Sequence, residues 1–201
     1  MLNVLSFQKV FYQRKNYFCR MKIILGIDPG TTILGFALIE ATSPHGKLLE
    51  MGVFRLGKIK EHADKLKSIF EKTLEIIERY QPQVLAIEAP FYGKNPQSML
   101  KLGRAQGVVI AAAMYKGLEV YEYSPRKIKQ SITGNGNASK EQVAAMLKSM
   151  NLIQDNKCPL DATDALAAAV CHHLQNKITA SGQKFSGWDA FVTKNQNRII
   201  T

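Results

Sequence analysis

An α/β fold, a mixed five-stranded sheet flanked by helices, is predicted by three features of the sequence. Short runs such as Ile23 to Ile27 and Val84 to Ile87 are apolar on both faces, as central strands covered by helices are. Long segments with apolar residues at helical spacing follow or separate these runs, and a turn-rich stretch joins two further strands into a hairpin. The chain has 201 residues, 46% of them hydrophobic and 21% charged, which suits one well-buried domain plus tails.

Residues 1–20 show no clear period and are expected to be a flexible extension, with Met21 as the expected functional start. The strand Ile23 to Ile27 is stopped by Pro29-Gly30, and Leu34 to Glu40 and Leu48 to Leu56 are strands joined through Ser43-Pro-His-Gly46. Glu61 to Tyr80 places Leu66, Ile69, Phe70, Thr73, Ile76, Ile77 and Tyr80 at helical spacing, and Pro82 ends that helix. Val84 to Glu88 is the next buried strand. Gln97 to Gly117 reads as a second long helix, rich in small residues, with Gly103 and Gly107 four apart. Such a face suits packing on a sheet or on a second copy in a dimer, and the spacing does not decide between them.

Leu118 to Tyr123 is expected as a fifth strand, Pro125 to Ile132 as a short helix and Gly134-Asn-Gly136-Asn as a loop, for which a simple turn is a better reading than a phosphate cradle. Ser139-Lys-Glu-Gln142 opens a helix to Met150 as a capping box. Cys158-Pro159 introduces an alanine-rich helix from Leu160 to Gln175, able to lie close against the sheet. On it, Cys171 is expected in the core, and His172 and His173 as surface or dipole-favoured side chains. The domain is taken as 21–176, with 177–201 as a basic C-terminal tail.

The formal charge of +11 and pI near 9.6 point to a polyanionic partner. Residues 1–20 carry +4 and residues 176–201 carry +3. Residues 89–140 hold eight bases (Lys94, Lys101, Arg104, Lys116, Arg126, Lys127, Lys129, Lys140) against Glu119 and Glu122, a cluster that reads as a binding face. Three cysteines without C-x-x-C spacing argue against a disulfide framework and a zinc site. No signal-peptide pattern opens the chain and no apolar run is long enough to span a bilayer, so a cytoplasmic location is expected.

The candidate chemistry sits at the ends of elements. Asp28 closes a buried strand, where a carboxylate costs free energy unless a cation or several donors satisfy it. Capping of its own turn is an equally good explanation from that segment alone. Glu88 ends a second buried strand in the same way. Asp161 and Asp164, three apart, share one face of a helix start, and the helix dipole accounts for either one alone. It does not account for four. Carboxylates gathered at one site repel unless divalent cations neutralise them. Oxygen ligands without clustered Cys or His favour Mg²⁺ or Mn²⁺, in the manner of two-metal phosphodiester hydrolysis.

The motifs Gly26-Ile-Asp-Pro-Gly30, Ala86-Ile-Glu88 with Phe91, Lys94-Asn95, Leu100-Lys-Leu-Gly103, Lys129-Gln130 and Asp161-Ala-Thr-Asp-Ala-Leu-Ala167 together resemble the RuvC family of Holliday junction resolving endonucleases, from Met21 through the final helix. The resemblance implies an RNase H-like fold with Asp28, Glu88, Asp161 and Asp164 as metal-binding catalytic acids. It further implies two Mg²⁺ per site, replaceable by Mn²⁺, and a homodimer that nicks two opposed strands of a four-way junction symmetrically, leaving ends a ligase can seal. By the same resemblance Phe91, Lys94, Lys129 and Lys140 face the DNA, Lys140 also takes part in catalysis, and the branch-migration proteins RuvA and RuvB are partners. Two other readings compete. The opening motif is also similar to the first phosphate loop of actin-like ATPases and sugar kinases, but the chain after Glu88 lacks the length and motifs of their second domain. A four-way-junction binding protein that does not cleave is the alternative, against which the four intact acids weigh.

Overall fold

A computed structural model describes residues 22–42, 44–89, 95–153 and 158–181, with side chains through residue 176. Its strands are β1 (Ile23–Asp28), β2 (Ile33–Glu40), β3 (Lys47–Arg55), β4 (Val84–Glu88) and β5 (Glu119–Tyr123). The helices are α1 (His62–Tyr80), α2 (Pro96–Tyr115), α3 (Pro125–Thr133), α4 (Lys140–Ser149) and α5 (Leu160–Ser181). The sheet order is β3-β2-β1-β4-β5. β1, β2 and β3 form an antiparallel meander, and β4 and β5 continue parallel to β1, because α1 and α2 serve as crossovers.

Alternation along the strands builds two cores. Leu25, Ile27, Leu85 and Ile87 face one side with Phe36 and Leu38, against Ile69, Ile76 and Ile77 of α1 and Ala105, Val109 and Ala113 of α2. Ile24, Ala37, Ile39, Val84 and Ala86 face the other, against α3, α4 and the long α5. There Ile24, Ile39 and Val84 stand beside positions that carry a small side chain or none, Gly26, Gly35, Ala37 and Ala86. A side chain on Gly26 would stand 2.1 Å from the Ala165 carbonyl oxygen, and one on Gly35 only 1.9 Å from that of Asp161. Both positions therefore demand glycine, and α5 rests on the bare backbone of β1 and β2.

α5 is buried on nearly every side, from Ala162 to His173, as expected for a helix sandwiched between a sheet and two other helices. It also runs six residues past Gln175, to Ser181. That corrects the expectation for His172 and His173, which are 0% and 5% exposed rather than on the surface. Cys171 lies in the core as expected, its thiol donating to the Ser131 hydroxyl at 3.2 Å. The Ser139 capping box is present, and Gly134 ends α3 in the left-handed conformation with φ of 75°, a plain turn.

Candidate active site

β1 and β4 run parallel with Ile27 beside Ile87, so Asp28 and Glu88 finish neighbouring strands side by side. Asp28 also pairs across to Gly35 on β2, and directly opposed residues share a face of the sheet. That face is the one α5 covers. The missing side chain of Gly35 lets the start of α5 settle beside Asp28, which brings Asp161 and Asp164 to the two strand-end acids. Asp28, Glu88, Asp164, Lys129 and Lys140 then line one cleft of about 120 Å³, floored by Ile128, Val143 and Ala167. Asp161 is half-buried and forms no part of the cleft wall, yet its charge acts on Asp28.

The electrostatics follow from that crowding. Burial, then the charges of Glu88 and Asp164, push the Asp28 carboxyl from its ordinary 3.8 up to about 7, with Asp161 adding and Lys140 opposing. Glu88 is raised for the same reasons, burial first and Asp164 second, against the pull of Lys140 and Lys129. Lys140, the first residue of α4, ion-pairs with Asp164. Burial works against its charge, but the hydrogen bond to Asp164 and the fields of Asp164, Asp28 and Glu88 win, so its ammonium is held more firmly than usual. The awkward carboxylate at the β1 end thus has a cation, contributed from a distant element. Lys22, the nearest base along the chain, instead pairs with Glu119 at 3.5 Å.

The donor set fits a hard divalent cation. It is all oxygen, it is short of positive charge, and a lysine ammonium already serves as counter-ion within it. Among the described residues no three acid, His or Cys side chains close tightly enough to enclose an ion as they stand. Coulomb coupling reaches further than ligation, so the acids feel one another across a cleft that is open rather than caged.

The chain matches the family model for crossover junction endodeoxyribonuclease RuvC over residues 24–172. A RuvC from Christiangramia forsetii is 56% identical over 89% of this chain and 93% of its own, and one from Bacteroides fragilis is 52% identical over 89% and 96%. The chain belongs to the RuvC family. Among solved structures, Thermus thermophilus RuvC in complex with Holliday junction substrate superposes with a TM-score of 0.73 at 30% identity, covering 80% of this chain and 97% of that one. The yeast mitochondrial Holliday junction resolvase, at 13% identity and a TM-score of 0.59, shares the fold. The expected RNase H-like α/β architecture is therefore the one observed.

Of the remaining expected site residues, Lys129 and Lys140 line the cleft, while Phe91 and Lys94 lie outside the described residues. Reading the sequence missed Gly26 and Gly35, although an isolated glycine in a strand is a signal of close backbone approach. It also missed a buried polar group beyond the acids. The Tyr123 hydroxyl meets His172 Nδ1 at 2.8 Å, and Asn176 Nδ2 lies 2.7 Å from His172 Nε2, so both ring nitrogens have a partner. Burial, then Lys22, hold His172 down to about 4, and burial drives Tyr123 up to about 12.

Proposed function

We propose that this chain is a metal-dependent, structure-specific endonuclease that resolves Holliday junctions in recombination and repair, by symmetric hydrolysis of phosphodiesters in two opposed strands. The observation that carries the reading is the meeting of Asp28, Glu88 and Asp164 with Lys129 and Lys140 in one cleft, in a chain of the RuvC family. Asp28, Glu88, Asp161 and Asp164 are the acids that hold the ions, two Mg²⁺ per site, with Mn²⁺ able to substitute. The chemistry such ions supply when bound is activation of a water for in-line attack and charge stabilisation at the leaving oxygen.

The rest belongs to the chain's own side chains. Lys140 ion-pairs with Asp164, opposes the upward shift of Asp28 and presents positive charge, at a helix N-terminus, to the phosphate being cut. Lys129, from α3, opposes the upward shift of Glu88. The apolar floor of Ile128, Val143 and Ala167 lowers the local dielectric, so each charge is felt more strongly. Phe91 stacks on an exposed base and Lys94 holds phosphate in this reading, on the strength of the family resemblance.

Symmetric cutting needs two sites, and the reading includes a homodimer. On α2, Leu100 and Met114 are each 64% exposed and fall on one helical face with Gly103 and Gly107, where a side chain added to either glycine would meet nothing within 4 Å. That open, partly apolar face supports a helix-to-helix dimer contact. Family membership supports cooperation with RuvA and RuvB. Among the described residues no helix is long and apolar enough to cross a membrane, in keeping with a cytoplasmic location. Residues 21–176 form the nuclease unit in this reading, and the basic segments on either side add nonspecific affinity.

The test is a mobile four-way junction labelled on each strand, incubated with the purified chain and Mg²⁺. Paired nicks in two opposed strands are expected. A bound junction with every strand intact would instead make the chain a binder that does not cleave.

A further inference from the structure

A second cleft, of about 450 Å³, lies around the sheet end from the acids, walled by Thr31, Lys60, His62, Lys65, Ser98 and Lys101, with no carboxylate in its lining among the described residues. Three elements converge to make it: the turn after Asp28, the start of α1 and the first turns of α2. The turn is stiff. Leu56 donates its N–H to the Thr32 carbonyl at 2.8 Å, and a side chain on Gly30 would strike the Ile33 carbonyl oxygen at 1.9 Å. α1 begins behind Glu61, whose side chain makes no capping bond, which leaves its first turn without a side-chain acceptor.

The cleft is positively charged and unsatisfied. Lys60, Lys65 and Lys101 enter no ion pair among the described residues, whereas Lys67 and Lys72, further along α1, are paired with Glu71 at 3.9 Å and Glu75 at 2.7 Å. His62 Nε2 is shut off from solvent with no hydrogen-bond partner among the described residues, although buried polar atoms in folded proteins are paired. Ammonium groups, two threonine hydroxyls, a serine hydroxyl and an orphan imidazole nitrogen are a donor set for an anion. Among the described residues the lining has none of the Asn, Gln or Arg forks that read base edges, so what it recognises is position along a backbone.

We propose that this cleft takes a backbone phosphate of the junction DNA, away from the phosphodiester being cut, an inference that rests on the nuclease reading above. Thr31 is three residues beyond Asp28, at most about 11 Å of chain, or roughly three steps of rise along a DNA strand. A phosphate held there fixes the register of the strand whose neighbouring linkage enters the acid cleft.

Junction affinity is measured in EDTA across a salt series for the wild-type chain, for Lys65→Gln with Lys101→Gln, and for Lys67→Gln with Lys72→Gln as a control of equal charge loss, with melting curves to show that all three are folded. The slope of log affinity against log salt should fall by about two for the cleft pair and stay unchanged for the control. Equal slopes in the two variants overturn the assignment. A single neutral methylphosphonate is then walked along the cut strand. One position beyond the scissile linkage should weaken wild-type binding and leave the cleft variant indifferent. A scan with no such position means that the cleft does not hold the DNA backbone. If the wild type neither binds nor cuts the junction, the nuclease reading itself falls; if it does both and the variants behave alike, only the cleft assignment falls.

Discussion

The two faces of the sheet are built on opposite terms. Toward α1 and α2 the strands offer bulk at every position, Leu25, Ile27, Phe36, Leu38, Leu85 and Ile87, and toward α5 they set Ile24, Ile39 and Val84 beside bare positions, Gly26, Gly35, Ala37 and Ala86. Bulk buries apolar area and supplies stability. Bareness supplies proximity, because a helix resting on backbone is held there by hard contacts. The acids lie on the bare face, which is where position matters.

The largest effect should come from the acids themselves. Asp28→Asn is expected to lower junction cutting by at least about a hundredfold, since even outer partners of a metal site cost about 10–100-fold, while binding through phosphate contacts survives. The same variant should melt higher than wild type at neutral pH in EDTA. Asp28 rises from 3.8 to about 7 on folding, so its protonation favours the folded state below pH 4, and that contribution is lost as pH rises through 7. At pH 8 the loss reaches as much as about 4 kcal/mol, and asparagine removes it. A melting-temperature gap that does not grow between pH 4 and pH 8 would contradict the crowding of acids.

Next come paired substitutions, one on each face. Gly35→Ala forces α5 away from Asp28 and should cost about 1–3 kcal/mol in overpacking together with about a hundredfold in cutting, the scale of a 1 Å misplacement. Leu85→Ala should cost about 2–5 kcal/mol and leave the cutting rate of the folded fraction unchanged. Denaturant melts and single-turnover cleavage below the transition separate the two. Equal loss of cutting in both would erase the distinction between the faces.

Much of this arrangement was legible before any coordinates. Apolar runs and their breakers located every described strand and helix, because a fully covered strand and an amphipathic helix leave distinct periods. Asp28 and Glu88 were legible as acids where strand hydrophobicity stops, and Asp161 with Asp164 through their spacing. The pairing of Lys140 with Asp164, 24 residues apart, was not, since it arises only when α4 docks on α5. Nor was the burial of His172 and His173. Alanine on all sides of α5 allowed it to be covered from every direction, and two adjacent histidines near its expected end carry no local sign of that.

His172 gives the covered helix its own titration, opposite in sign to that of Asp28. Neutral and held at about 4 against an ordinary 6.5, it binds a proton in the unfolded chain before it does in the folded one. Stability is therefore lost as pH falls from 6.5 through 4, by as much as about 3 kcal/mol. His172→Gln should melt below wild type at pH 7.5, and the gap should narrow or reverse by pH 4.5. A gap constant with pH would mean that the ring is charged or exposed in the folded protein.

The smallest expected effect tests whether that buried group reaches the acids. Tyr123 pairs with Glu88 across the β4–β5 ladder, but its hydroxyl is turned to His172 Nδ1. Tyr123→Phe leaves His172 Nδ1 without its partner and should cost about 1 kcal/mol, seen as a lower melting temperature at pH 7.5. Cutting should stay unchanged at saturating Mg²⁺, because Glu88 is placed by its strand, not by the tyrosine. If cutting falls along with stability, the Tyr123–His172 pair is part of what aims Glu88, and the α5 face positions its acids through side chains as well as through bare backbone.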